Sequence, residues 1–277
     1  MVTLLGPAQV RELAARLDLT PTKKLGQNFV HDPNTVRRIV AAADVVAGER
    51  VVEIGPGLGS LTLGLLEAGA SVVAVELDGR LAALLPETAA AQGAPNGVLE
   101  VVHADALEVT DLPGPAAVAL VANLPYNVSV PVLLHFLERF GSIARALVMV
   151  QAEVGHRLAA GPGSKVYGSP SAKAAWYADV GLAGTVSRQI FWPVPNVDSV
   201  LVRLDRHEPP GTEAERLATF RLIDAAFGQR RKMLRQSLQE VLGPAAGAVV
   251  EAAGVDPTAR GETIGVLDFL AIARAAA

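Results

Sequence analysis

The stretch VVEIGPGLGSLT, residues 51–62, sets an apolar run against three closely spaced glycines and then turns apolar again. Its first residues read as a buried strand and its last as the start of a helix, so Gly55, Gly57 and Gly59 fall in a strand-to-helix turn. Glycine suits such a turn because a Cβ would keep a ligand from the backbone, and the amides of the following helix face whatever binds. The spacing is G-x-G-x-G with Pro56 inside it, not the longer spacing that seats a dinucleotide pyrophosphate. This compact, acid-preceded form suits a nucleoside without phosphates.

Outward from that turn, strand-like and helix-like segments alternate. Strands are expected at RVVEIG (50–55), SVVAVEL (71–77), VLEVVHA (98–104), AAVALVA (116–122) and ALVMVQ (146–151). Helices are expected over SLTLGLLEAG, GRLAALLPETAA and VPVLLHFLERF. The pattern is that of repeated βα units, an α/β domain with a mainly parallel sheet and helices on both faces. A last strand, SVLVRLD (199–205), reads as an addition to the sheet, with an antiparallel placement open. The polar segment DRHEPPGTEAE (205–215) is the linker candidate. Beyond it, Leu217, Phe220, Ile223 and Phe227, then Leu234, Leu238 and Val241, recur at helical spacing, so two amphipathic helices should meet near Gly228. The expected division is residues 1–206 for the α/β domain and 207–277 for a small all-helical domain.

Composition agrees with this reading. Of 277 residues 51% are hydrophobic but only 4% aromatic, so the core must be built from aliphatic side chains, as suits parallel strands under helices. Without cysteine there are no disulfides and no thiolate metal sites. The five histidines show no metal-site spacing, so no metal is expected. With no apolar run near membrane-spanning length and no basic segment leading an apolar one, the expectation is a cytoplasmic protein without a membrane partner. A net charge of −4 argues against nucleic acid, but its distribution does not. Between Arg216 and Arg235 the basic residues are Arg216, Arg221, Arg230, Arg231, Lys232 and Arg235, against the single acid Asp224. Such a stripe can bind phosphates on an acidic protein, because screening confines each charge to about 8–10 Å. Lys23 and Lys24 read equally well as a solvated face or as phosphate contacts.

Three further positions extend the glycine turn into a site. Glu76, at the end of the second strand, stands 21 residues after Gly55, where an acid accepts hydrogen bonds from a ribose diol. Asp105 follows the third strand, where a carboxylate can accept from an adenine amino group. Asn123 ends the fourth strand in NLPYNVS (123–129). Its amide oxygen and the Leu124 carbonyl, freed by Pro125, can accept both hydrogens of a flat amino group while Tyr126 stacks on the ring. The bland alternative is that these acids cap helices and NLPY makes a turn.

Taken together, TPTKKLGQNFVHD (20–32), VVEIGPGLGSLT, VAVELD, NLPYNVS, VMVQAEVGHRL (148–158), FWPVPNVDSVLVRL and FGQRRKMLRQSL resemble the ribosomal RNA adenine dimethyltransferases, specifically the bacterial small-subunit members. The resemblance implies a Rossmann-like class I methyltransferase. It would use S-adenosylmethionine to dimethylate the exocyclic nitrogen of two adjacent adenosines near the 3′ end of 16S rRNA during ribosome biogenesis. It implies cofactor contacts at Asn28, Val30, Gly55, Gly57, Glu76, Asp105 and Asn123. The catalytic motif falls on Asn123, Leu124, Pro125 and Tyr126, with Phe191 opposite the target base. RNA contacts are expected at Lys23, Lys24, Arg221, Arg230, Arg231, Lys232 and Arg235, on rRNA in an assembling ribosomal particle, with the protein a monomer. Val30 stands where leucine is usual and Asn196 where a lysine commonly follows the prolines. Competing readings are a non-catalytic RNA-binding assembly factor, a large-subunit rRNA adenine methyltransferase and, from the general fold alone, a nicotinamide dehydrogenase.

Overall fold

The computed structural model describes residues 1–19 and 28–277; Lys23 and Lys24 lie outside the described residues. Helix α1 (Pro7–Arg16) is followed by strand β1 (Phe29–Val30) and helix α2 (Pro33–Ala42). Asp32 begins α2 by accepting from the Thr35 amide at 2.6 Å, and Pro33 occupies the first turn, where its missing N–H costs nothing. Alternation then sets in with β2 (Arg50–Ile54), α3 (Ser60–Glu67), β3 (Ser71–Glu76), α4 (Gly79–Ala91), β4 (Leu99–His103), β5 (Ala119–Asn123), α5 (Ser129–Arg139) and β6 (Arg145–Gln151). After α6 (Ala152–Leu158) and α7 (Ser169–Ala174) come β7 (Ala178–Val186), β8 (Phe191–Trp192) and β9 (Ser199–Arg206).

Seven strands form one sheet in the order β4-β3-β2-β5-β6-β9-β7. The pairs β2–β3, β3–β4, β2–β5 and β5–β6 are parallel, and β9 runs antiparallel to β6, with Ser199 opposite Gln151 and Asp205 opposite Arg145. The central strands are buried on both faces, as their near-continuous valine, leucine and alanine demand, whereas β4 at the sheet's edge is only half-buried. Strand β7 was not expected. Its ADVGLAGTV carries two glycines and is largely exposed, so the alternation that marks a half-buried strand is missing. The short strands β1 and β8 pair antiparallel, Val30 opposite Phe191 and Phe29 opposite Trp192, with the Phe29 and Trp192 rings stacked at 6.4 Å.

The chain divides into two units, Met1–Gly155 with Gly181–Asp205, and His156–Val180 with Arg206–Ala277. The last of the three crossings, at 205/206, lies beside the 206/207 boundary read from the linker. The other two, at 155/156 and 180/181, do not, because a single contiguous boundary cannot represent a segment, 156–180, that packs with residues far along the chain. In the second unit, α8 (Glu213–Gly228) starts with a capping box: the Thr212 hydroxyl accepts from the Glu215 amide and the Glu215 carboxylate accepts from the Thr212 amide. Helix α8 ends at Gly228, as expected, but its buried side is Arg216, Thr219, Leu222, Ile223 and Ala226, and Leu217 is exposed. The second amphipathic helix resolves into two short ones, α9 (Leu234–Ser237) and α10 (Gln239–Leu242), with Leu234 and the Leu238 that joins them buried and Val241 exposed. Helices α11 (Ala246–Ala252) and α12 (Val266–Ala275) complete the unit, with Phe269 and Ile272 of α12 fully enclosed.

Candidate active site

From β2 the chain moves outward through β3 to β4 and then returns to place β5 on the other side of β2. Such a reversal opens a crevice at the carboxyl ends of the strands, which is where an open α/β sheet binds its ligand. A cavity of about 260 Å³ lies there, and its lining includes Gly55 and Gly57 after β2, Glu76 at the end of β3, Asp105 after β4 and Asn123 at the end of β5. The structure thus brings together the positions that the sequence spread over four strand ends.

The glycine turn is built as its residues require. Gly55, Gly57 and Gly59 have φ of 66°, 57° and 94°, left-handed values that other residues adopt at a cost. At Gly57 a Cβ would lie 2.9 Å from the Phe29 ring, so the turn and the β1 segment approach more closely than any side chain allows. The Ser60 hydroxyl donates to the Val30 carbonyl at 2.5 Å and fastens the same segment from the helix side. Val30 is buried, and both it and Asn28 line the cavity.

Glu76 is the organising carboxylate. Its Oε2 accepts from the Gly57 amide and its Oε1 from the Asp78 amide, each at 3.0 Å, so it ties the glycine turn to the chain beyond β3. Burial pushes its pKa up against the pull of these amides. A carboxylate has about four acceptor sites, so acceptor capacity remains for a diol. Asp105 uses Oδ1 to accept from the Leu107 amide at 2.9 Å, and its Oδ2 receives no hydrogen bond from any described residue. Capping and ligand binding are therefore compatible in the same side chain.

Glu53 is the acid ahead of the glycine turn, counted in the sequence as part of the motif but given no role of its own. It is 1% exposed, accepts from the Thr62 hydroxyl at 2.6 Å, and lines the same cavity. Burial pushes its carboxyl up to about 8, with the nearby Glu76 charge adding to the shift. The available signal was an acid inside an otherwise apolar buried strand, a placement that needs a reason.

Asn123 donates from Nδ2 to the Asn28 carbonyl at 3.1 Å. That bond fixes which end of the amide is the donor and leaves Oδ1 as the acceptor. Pro125 also lines the cavity, whereas Leu124 is 1% exposed with its amide donating to the Met149 carbonyl at 3.1 Å, so only its backbone carbonyl is free for the role expected of it. Tyr126 is half-buried, its hydroxyl 3.0 Å from the Ser199 hydroxyl, and lies off the cavity wall; burial raises its pKa. Phe191, expected to face the base, is 1% exposed: register with Val30 carries it into the core, and it offers no face to a base in this structure.

The basic stripe is also divided. Arg216 is buried and bonds Glu213 at 2.6 Å. Arg230 bonds Glu262 at 2.7 Å and the carbonyls of Tyr167 and Lys165 at 2.6 and 2.9 Å, which makes it a brace within its unit. Arg221, Arg231, Lys232 and Arg235 remain exposed. Among the described residues no cluster of metal-ligating side chains occurs, and no helix is long and apolar enough to cross a membrane.

The cavity fits an adenosyl cofactor on its own chemistry: a side-chain-free cradle at Gly57, a strand-end carboxylate with spare acceptor sites, a second acceptor at Asp105, and apolar walls from Ile54 and Leu81. The family profile described as "Ribosomal RNA adenine dimethylase" matches residues 19–277. A protein named ribosomal RNA small subunit methyltransferase A from Leifsonia xyli subsp. xyli is 66% identical over 275 residues, covering 98% of each chain. One of the same name from Streptomyces griseus subsp. griseus is 61% identical over 98% of this chain and 94% of its own. Among solved structures, a dimethyladenosine transferase from Plasmodium falciparum superposes with a TM-score of 0.73 at 23% identity, covering 88% of this chain and 95% of that one. The 23S rRNA methyltransferase ErmE does so with a TM-score of 0.65 at 27% identity, over 90% and 99%.

Proposed function

The chain belongs to the ribosomal RNA adenine dimethylase family, and from that premise we propose that it is an S-adenosylmethionine-dependent methyltransferase that dimethylates two adjacent adenosines near the 3′ end of 16S rRNA. The observation that carries the catalytic part is the Asn28–Asn123 hydrogen bond, which presents the Asn123 oxygen beside the glycine cavity. The small-subunit substrate is supported by 66% identity to a small-subunit methyltransferase against 27% to the large-subunit enzyme.

Gly55 and Gly57 give the cofactor access to the backbone, Glu76 holds its ribose, Asp105 its adenine amino group, and Asn28 and Val30 close the site. When bound, S-adenosylmethionine supplies an electrophilic methyl group on a positively charged sulfur. The chain's own work is to orient the target. An adenine amine is a weak nucleophile because its lone pair is delocalised into the ring. Asn123 Oδ1 and the Leu124 carbonyl accept its hydrogens and favour the pyramidal geometry that attack requires, with alignment supplying much of the rate. Tyr126 supports the base, its hydroxyl tethered to Ser199. Arg221, Arg231, Lys232 and Arg235 contact RNA phosphates. The substrate is rRNA in an assembling cytoplasmic particle, and the enzyme acts as a monomer.

Purified protein, labelled S-adenosylmethionine and small-subunit particles lacking these methyl groups test the proposal. Two methyl groups per adenosine are expected, mapped as reverse-transcription stops because dimethylation removes the pairing edge. Stops that persist at the same adenosines in cells lacking the protein refute the substrate assignment.

A further inference from the structure

The cavity is lined by four carboxyl side chains, Glu53, Glu76, Asp78 and Asp105, and by no lysine, arginine or histidine among the described residues. The groups facing Glu53 are Thr62 from α3 and Glu76 from β3, and no described cation pairs with it. Asp78, at the start of α4, has its own partner in Arg80 at 2.7 Å. Glu53 is therefore an enclosed acid beside a second enclosed acid, with no counter-charge supplied by the protein. Two carboxylates in one low-dielectric site cannot both ionise cheaply.

We propose that Glu53 makes this cavity sensitive to the charge of its ligand: it keeps its proton in the ligand-free protein and releases it to solvent when a cationic cofactor enters. It thereby favours the sulfonium form over the uncharged thioether left after methyl transfer. The proposal rests on the S-adenosylmethionine reading above. A positive centre in the cavity stabilises the ionised form of Glu53, and by linkage the ionised form holds the cation more tightly. S-adenosylhomocysteine keeps the adenosyl and amino-acid parts and lacks only the methyl group and the charge. The same acid thus helps capture cofactor and lets product go. Burial, which sets Glu53 at about 8, places the exchange within reach of ordinary buffers.

Calorimetric titration of the full-length protein with S-adenosylmethionine, in buffers of different ionisation enthalpy at pH 7, counts the protons released. The cofactor's α-amino group titrates in a neighbouring range, so the quantity read is the difference between wild type and Glu53→Gln. Wild type should release more, by up to about one proton. In wild type the preference for S-adenosylmethionine over S-adenosylhomocysteine should rise roughly tenfold from pH 6 to pH 9, and in E53Q it should stay flat. Glutamine mimics the protonated acid, so E53Q should still bind S-adenosylhomocysteine at pH 6; if it fails to fold, the wild-type pH series decides alone. Equal proton release by the two proteins, or a wild-type preference independent of pH, overturns the proposal. Wild-type protein that binds neither compound saturably overturns the cofactor assignment and this proposal with it.

Discussion

The Asn123 side chain, at the end of β5, and the Asn28 backbone, 95 residues earlier, are joined by one hydrogen bond of 3.1 Å. It couples the Asn28 segment, which lines the cavity, to the residue proposed to receive the target amine. Seating of one therefore orients the other.

Asn123→Asp keeps an acceptor of the same shape but removes the donor to Asn28 and adds a charge. Methyl transfer should fall by about 10²–10³-fold, the usual cost of losing an oriented polar group at a reacting centre. Asn123→Ala should do the same and, because it also releases the Asn28 carbonyl, should weaken cofactor binding, though by less than it slows transfer. Single-turnover methylation and equilibrium cofactor binding, measured on the same preparations, separate the two effects.

Gly57→Ala combines a positive φ with a Cβ 2.9 Å from the Phe29 ring. A backbone cost of about 1–3 kcal/mol is expected. Cofactor affinity should suffer more than that of a variant altered away from the turn. Thermal denaturation and a binding titration check both quantities.

Glu76→Gln would present a donor to one of two backbone amides, Gly57 or Asp78, that now meet acceptors. An amide facing an amide is left unsatisfied, at roughly 1–3 kcal/mol. The variant should lose stability even without ligand, which would distinguish an organising carboxylate from a mere ligand contact. Denaturant unfolding of the ligand-free protein reads it.

Glu53 affects stability with a predictable sign. Its pKa rises from the usual 4.5 to about 8 on folding, so the native state keeps a proton that the unfolded chain gives up above about 4.5. Ligand-free stability should fall from this source as pH rises through 4.5 to about 8, by up to about 5 kcal/mol, and level off above. In Glu53→Gln that loss should be absent, so the variant gains on wild type as pH rises from 5 to 9 in parallel melting curves.

Arg231→Ala and Lys232→Ala remove exposed charges and should weaken RNA binding alike across sequences. Each should lower the salt dependence by about 0.7–0.9 per phosphate contact, with the melting temperature unchanged. Arg230→Ala should instead lower the melting temperature, since it frees Glu262 and two carbonyls. Salt-titrated binding beside thermal denaturation distinguishes the brace from the contacts.

Sequence alone determined the parallel sheet and the glycine turn, and it picked out Glu76, Asp105 and Asn123 as polar residues at or just after strand ends, where all three line one cavity, because strand period, left-handed glycines and polar residues at strand ends are local signals. Strand β7 escaped, since an exposed edge rich in glycine has no apolar alternation to read. So did the membership of 156–180 in the second unit, which depends on contacts distant in sequence. Only the tertiary structure separated Arg230 and Arg216 from their free neighbours, since adjacent arginines look alike until their partners are known. It also enclosed Phe191 beside Val30 and set Glu53 within reach of Glu76, because burial and proximity are properties of packing rather than of residue type.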